Sequence, residues 1–197
     1  MNFDEERLRD KNPWKCVADA PNLPFRTHTD IRESIANRTY VLHVSYPAAR
    51  QLAPFVRSYA GRLLNILFGI APFFMALVVV AFAFWQWSFL LLVGVPVAFL
   101  GAWFGHPMNP LKRLMTALTC ISVLAAIAVW NQSVAVVVAA WIIPFIGIRA
   151  AYATSIRALR NAVLQSEALF LNQYWLGGIS LRNVVTGETY FGSSGAG

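Results

Sequence analysis

Residues 63–111 contain no aspartate, glutamate, lysine or arginine. Over the longer stretch 65–148 the only full charges are the adjacent Lys112 and Arg113. A helix at the surface of a soluble protein keeps one polar face toward water, and this stretch has few residues from which to build one. Its apolar length far exceeds one core helix and reads as membrane-embedded. Backbone amides in a bilayer must be satisfied within the chain, so helices are expected there.

Four apolar segments can be marked off, at 66–84, 89–104, 114–129 and 134–148. None contains Asp, Glu, His, Lys or Arg. Trp85-Gln86-Trp87-Ser88 and Trp130-Asn131-Gln132-Ser133 separate them in pairs. Tryptophan favours the headgroup level, so Trp85, Trp87 and Trp130 are expected as anchors at the outer interface. Trp103 and Phe104 mark the inner end of the second segment. A spanning helix needs about 20 apolar residues, and the second to fourth segments are shorter. Two arrangements fit. Four helices can cross fully, borrowing a turn from their flanks, or two hairpins can dip in from the cytoplasm without emerging. Tryptophans at both tight turns favour full crossing, and local bilayer thinning accommodates short helices.

The whole chain of 197 residues is 57% hydrophobic and 13% charged, with a formal net charge of +7. Ordinary soluble domains carry about 25% charged residues. Ten arginines and lysines, from Arg7 to Arg62, precede the first apolar segment. Lys112 and Arg113 lie in the central connection, and Arg149, Arg157, Arg160 and Arg182 follow the last segment. The connections near Gln86 and Gln132 have none. Positive residues stay on the cytoplasmic side, so both termini and the central loop are expected there, in a membrane read as the bacterial inner membrane. This distribution explains the basic balance without a nucleic-acid partner. The first residues are acidic and basic with no apolar core, unlike a secretory signal.

Outside the apolar stretch the sequence predicts mixed structure. Residues 1–25 are polar and broken by Pro13, Pro21 and Pro24, as in an extended arm. A short helix is expected over 30–37, with Asp30 as cap and Glu33 three residues on. Residues 39–46 are rich in β-branched and aromatic types and read as a strand. Pro47 opens a helix expected to run to about Asn65. Arg50, Arg57 and Arg62 punctuate it and could hold anionic lipid headgroups, each worth about 1 kcal/mol near the surface. A solvated helix leading into the membrane is the alternative. The fourth apolar helix is expected to continue past the membrane, because Tyr152, Ile156, Leu159 and Val163 recur at helical spacing. Residues 168–175 and 179–185 read as strands. Thr186-Gly187 offers a tight turn into 188–191, giving a small C-terminal β-hairpin. Residues 192–197 read as a flexible tail.

The fold expected is an all-α polytopic membrane protein with four short transmembrane helices in two helical hairpins, plus a cytoplasmic arm, helix and small β-hairpin. The divisions are 1–64, 65–148, 149–191 and 192–197. Within the membrane, Gly94, Ala98, Gly101, Ala102 and Gly105 form a small-residue face suited to close helix packing, within the chain or between subunits. Thr116, Thr119 and Ser122 form a hydroxyl stripe. It can bond back to its own helix or line a polar path. Pro72, Pro96 and Pro144 are expected to bend their helices.

Catalytic constellations are hard to find. His28 and Asp30 are two apart, but no nucleophile can be placed beside them, so ordinary loop polarity is the better reading. His43 falls in the expected strand. His106 stands beside Pro107 with no second histidine at ligand spacing, which disfavours haem and metal. Cys16 and Cys120 are expected as free thiols. No phosphate-binding glycine loop is present. Ionisable groups inside the bilayer mark proton relays and coupled transporters, and the four segments have none. No cofactor or metal is expected. The reading is a non-enzymatic structural or assembly subunit whose partners are the bilayer and either its own copies or other membrane subunits. A homo-oligomeric pore and a membrane-shaping hairpin protein are the alternatives.

Overall fold

A computed structural model describes residues 8, 12–56, 59–129 and 131–192. Among them are seven α-helices: α1 (His28–Ala36), α2 (Tyr46–Val56), α3 (Tyr59–Trp85), α4 (Gly94–Gly105), α5 (Lys112–Val129), α6 (Gln132–Gln165) and α7 (Glu167–Trp175). Three strands, β1 (Tyr40–Val44), β2 (Ile179–Asn183) and β3 (Thr189–Tyr190), form one antiparallel sheet in that order. The protein is thus mostly helical with a small sheet. It divides into two compact units, one drawn from Met1–Ser58 and Thr154–Gly197, the other Tyr59–Ala153.

In the first unit α1 begins earlier than the sequence reading had it. Thr27 is extended and its hydroxyl accepts the Asp30 N–H at 3.2 Å, while Asp30 Oδ2 accepts the Thr27 N–H at 3.0 Å. This reciprocal pair is a capping box. Asp30 is therefore the third helical residue rather than the cap, because a hydroxyl-x-x-acid pattern already starts at Thr27. The helix stops where Arg38 takes a left-handed φ of 58°. Ile31 and Ile35, one turn apart, are its buried residues.

The sheet joins distant parts of the chain. Leu42 of β1 faces Leu181 of β2, and Leu181 faces Tyr190 of β3. The β2–β3 hairpin turns through Gly187 at φ 77°, with Asn183 Oδ1 accepting the Val185 and Thr186 amides. Leu42, Ile179 and Leu181 are buried, while Val41, His43 and Arg182 are exposed. This alternation marks a sheet covered on one face.

Residues 168–175 are not the strand expected from sequence. They form α7, capped by Ser166, whose hydroxyl accepts the Leu169 N–H at 3.3 Å. Ala168, Leu169, Phe170, Leu171, Gln173 and Tyr174 are all buried. Burial all round the helix erases the 3.6-residue period that would have revealed it. The helix expected from Pro47 to Asn65 falls on α2 and the start of α3, and Arg57 and Ser58 between them lie outside the described residues. Pro54 removes one amide donor from α2.

The core of this unit gathers Ile31 and Ile35 from α1, Leu42, Ile179 and Leu181 from the sheet, and Leu159 and Val163 from α6. Phe170 and Tyr174 of α7 stack at 6.0 Å with planes 7° apart. Tyr174 is fully buried, yet among the described residues its hydroxyl has no hydrogen-bond partner. Burial pushes its pKa up to about 12. A buried unsatisfied hydroxyl costs about 1–3 kcal/mol, so Tyr174→Phe is expected to stabilise this unit by about 1 kcal/mol, seen as a higher melting temperature.

His28 packs beside Phe170, and its Nε2 donates to the Val163 carbonyl at 3.1 Å. Burial lowers its pKa below the usual 6.5, outweighing the carbonyl bond that favours the charged form. Protonation therefore favours the unfolded chain. The stability from neutral His28 is complete above pH 6.5 and falls as pH drops from there to the folded pKa. His28→Gln is expected to flatten the pH dependence of melting in that window.

The second unit has the opposite distribution. Its core is small, made of Met75 and Val79 of α3, Ala98 of α4 and Ala140 of α6. Large apolar side chains point outward, among them Phe73, Leu77, Leu90 and Leu124, each more than 60% exposed. Among the described residues two helices, Gly61–Trp85 and Gln132–Gln165, are long and apolar enough to cross a membrane. The stretches Phe89–Gly105 and Arg113–Val129 are apolar but shorter. The first of these opens with a 3-10 turn, Phe89–Val93, before α4. Pro72 and Pro144 lie inside α3 and α6, whereas Pro96 sits in the first turn of α4, where a missing amide costs little. Trp130 and residues 193–197 lie outside the described residues.

Candidate functional site

The small residues of α4 face other helices of the same chain. A Cβ on Gly94 would meet Val79 of α3 at 3.0 Å and Val137 of α6 at 3.6 Å. A Cβ on Gly101 would collide with the Trp141 carbonyl oxygen, and one on Gly105 would come within 2.7 Å of the Phe145 carbonyl oxygen. Ala98 is fully buried among Met75, Val79 and Ala140. Glycine at 101 and 105 lets the two backbones touch, as small-residue faces do in membranes. Ala102 is half-buried and borders a cavity instead.

The hydroxyl stripe of α5 turns toward α6. Thr119 Oγ1 donates to the Met115 carbonyl at 2.7 Å and accepts from Trp141 Nε1 at 2.9 Å. Thr116 Oγ1 accepts from Arg149 Nη1 at 2.8 Å, and the same guanidinium lies 4.5 Å from the Phe145 ring centroid. Ser122 bonds back to the Leu118 carbonyl at 2.8 Å. These groups tie α5 to α6 and to its own backbone.

His106, in the loop after α4, completes a polar belt. The Met108 N–H donates to His106 Nδ1 at 3.4 Å, which leaves the proton of the neutral ring on Nε2. Nε2 meets Tyr152 Oη of α6 at 2.7 Å, with the rings edge-on at 4.9 Å. The Asn109 carboxamide accepts the Leu111 N–H at 2.9 Å and shapes the same turn. Trp141, Phe145, Arg149 and Tyr152 occupy one stripe of α6 at spacings of four, four and three.

That stripe was open to sequence reasoning, since the spacing is helical. Its partners Thr116, Thr119 and His106 lie 22 to 46 residues away and leave no local mark. Cavities among the described residues adjoin these helices. One, of about 670 Å³, is lined by Phe99, Ala102, Trp103, His106, Met108, Asn109 and Pro110. Another, of about 530 Å³, lies between α5 and α6 and ends at Asn131 and Gln132. Both are mainly apolar and suit hydrocarbon better than a polar substrate.

No family model, curated protein or solved structure matches this chain. Function must therefore be read from these contacts alone. His28 and Asp30 are drawn to different partners, Val163 and Thr27, so no acid–base pair is assembled there. Among the described residues no group of three or more His, Cys, Asp or Glu could hold a metal ion. Cys16 and Cys120 are free and exposed. Arg50 and Arg62 are exposed on α2 and α3, and Arg57 lies outside the described residues. Trp85 and Trp87 are exposed at 80% and 84%, at the end of α3 and in the turn after it. What the belt does chemically is hold helices in place. Neutral donors and acceptors satisfy one another, and Arg149 meets a hydroxyl and a ring face.

Proposed function

We propose that the chain is a non-enzymatic integral membrane protein that serves as a structural or assembly subunit of a larger membrane complex. All four apolar segments cross the bilayer as two hairpins, with Trp85 and Trp87 at the outer surface. The termini and the His106 loop lie in the cytoplasm, and Arg50 and Arg62 approach anionic headgroups. The observation that carries this reading is the contrast between the units. Tyr59–Ala153 exposes its large apolar side chains, whereas the other unit buries its own in a conventional core. An outward-facing apolar surface of that extent needs lipid or protein to cover it.

The geometry gives less to the pore alternative. The residues that would pack pore subunits, Gly101 and Gly105, already pack on α6. Two of the hydroxyls that would line a path, Thr116 and Thr119, already hold Arg149 and Trp141. The assembly reading is tested by native mass in nanodiscs. The expected result is a multimer or a complex with another membrane protein. A lone monomer with nothing co-purifying would count against it.

A further inference from the structure

We propose that the cavity beside the His106 loop binds one anionic phospholipid of the cytoplasmic leaflet, its acyl chain against α4 and its phosphate over the start of α5. The proposal rests on the membrane reading above and names a ligand for one place in it.

The walls select the tail. Phe99, Trp103, Met108 and Pro110 supply apolar walls to a cavity of about 670 Å³. Small-molecule sites span about 300–1,000 Å³. Trp103 is 72% exposed and Met108 65%, so among the described residues no side chain covers them. Both suit a flexible hydrocarbon chain. A thioether repacks easily, and an indole favours the level where hydrocarbon meets headgroup. A helix with its side chains is about 10–12 Å across, so one turn of it already fills about 500 Å³. The cavity holds little more than that, which suits an acyl chain rather than the helix of a second copy.

The polar rim selects the head. His106 has both ring nitrogens engaged, Nδ1 accepting from the Met108 N–H and Nε2 donating to Tyr152. Asn109 Oδ1 is taken as well, by the Leu111 N–H at 2.9 Å. What remains at the rim is donors: the Asn109 NH2 group, the Trp103 indole N–H and the Arg113 guanidinium. Among the described residues none of the three has a hydrogen-bond or ion-pair partner. Arg113 is exposed in the first turn of α5. It stands three residues beyond Pro110, at most about 11 Å of backbone.

A rim of donors calls for a group that only accepts. A phosphodiester is such a group, and its charge strengthens each bond it takes. No aspartate or glutamate occurs in residues 59–153, so no carboxylate of this unit competes for Arg113. Lys112 adds a second positive residue to the same stretch. A zwitterionic head would bring its own ammonium toward these cations, so an anionic head is preferred.

The test uses full-length protein in nanodiscs of dioleoyl-phosphatidylglycerol and dioleoyl-phosphatidylcholine, with retained lipid read by native mass spectrometry. The expected result is one phosphatidylglycerol held per chain, about five-fold tighter than phosphatidylcholine, the effect of one cation near an anionic head. Ala102→Phe fills the cavity from its half-buried edge. It is expected to release the lipid while melting like the parent in lipid-free detergent. Arg113→Gln is expected to keep one lipid and lose the preference. Equal retention of the two lipids by the parent overturns the proposal, as does undiminished retention by a folded Ala102→Phe protein. If Ala102→Phe melts lower, Arg113→Gln decides, and a preference that survives loss of that charge overturns the proposal. Glycerol phosphate competing as well as the whole lipid overturns it too, in favour of a soluble anion. A protein that co-purifies with the parent and is released by Ala102→Phe overturns the lipid as occupant and leaves the assembly reading standing. A monomer that retains phosphatidylglycerol overturns assembly and leaves this site standing.

Discussion

Gly101→Leu is expected to destabilise the apolar unit by about 3 kcal/mol, the upper part of the usual range for forcing extra volume into a packed interface. Even the first carbon of the new side chain would overlap the Trp141 carbonyl oxygen. That oxygen is backbone, so no rotamer change relieves the clash, and α4 and α6 must separate. Separation also disturbs Trp141, which donates to Thr119 and stacks on Phe145 at 6.0 Å. Gly69→Leu is the matched control. A Cβ there meets nothing within 4 Å, and leucine is a better helix former than glycine by roughly 0.8 kcal/mol. Thermal melting in detergent should separate the two variants, Gly101→Leu well below the parent and Gly69→Leu at or above it. Equal melting temperatures would show that α4 does not pack as described.

The second large effect lies in the other unit. Phe170→Ala is expected to cost about 3–5 kcal/mol, the range for removing a buried aromatic ring. Phe170 is fully buried and stands between His28, at 5.7 Å, and Tyr174, at 6.0 Å. Its loss leaves a cavity at the meeting point of α1 and α7. Domains are stable by about 5–15 kcal/mol, so this unit would lose about a fifth of its margin or more. The expected observation is early loss of the first unit's structure on heating and rapid proteolysis of the sheet segments. Phe170→Leu, which refills most of the space, should recover much of the loss. A Phe170→Ala protein that melts like the parent would contradict the core assignment.

How far the sequence could be read depended on where each signal resided. The apolar stretch, the helix α6 running on past Ile148, strand β1 and the turn at Gly187 all leave local marks: a charge gap, a 3.6-residue stripe, a β-branched run, a Thr-Gly pair. The α1 cap was misplaced by one turn because Asp30 can act as a cap or as the third residue of one, and only Thr27's extended backbone decides. Helix α7 was misread as a strand because its buried residues surround the axis, and periodicity is silent there. The three-stranded sheet was half visible, since β1 and β2 are separated by more than 130 residues. The polar belt was hidden for the same reason. Tyr152 and Arg149 sit on a legible stripe, but nothing near them in the chain names His106 or Thr116 as partners. Gly101 and Gly105 were recognisable as a packing face, whereas the helix they pack on could not be inferred from spacing.

The central claim is that the apolar unit crosses the bilayer four times with both chain ends on one side. Single cysteines in the Cys16→Ser/Cys120→Ser background test it directly, at Gln86, Met108, Gln132 and Val185, all exposed. A membrane-impermeant thiol reagent applied to intact cells is predicted to label Gln86→Cys and Gln132→Cys, and to reach Met108→Cys and Val185→Cys only after permeabilisation. Labelling of Gln132→Cys only after permeabilisation, or of Val185→Cys in intact cells, would contradict the account.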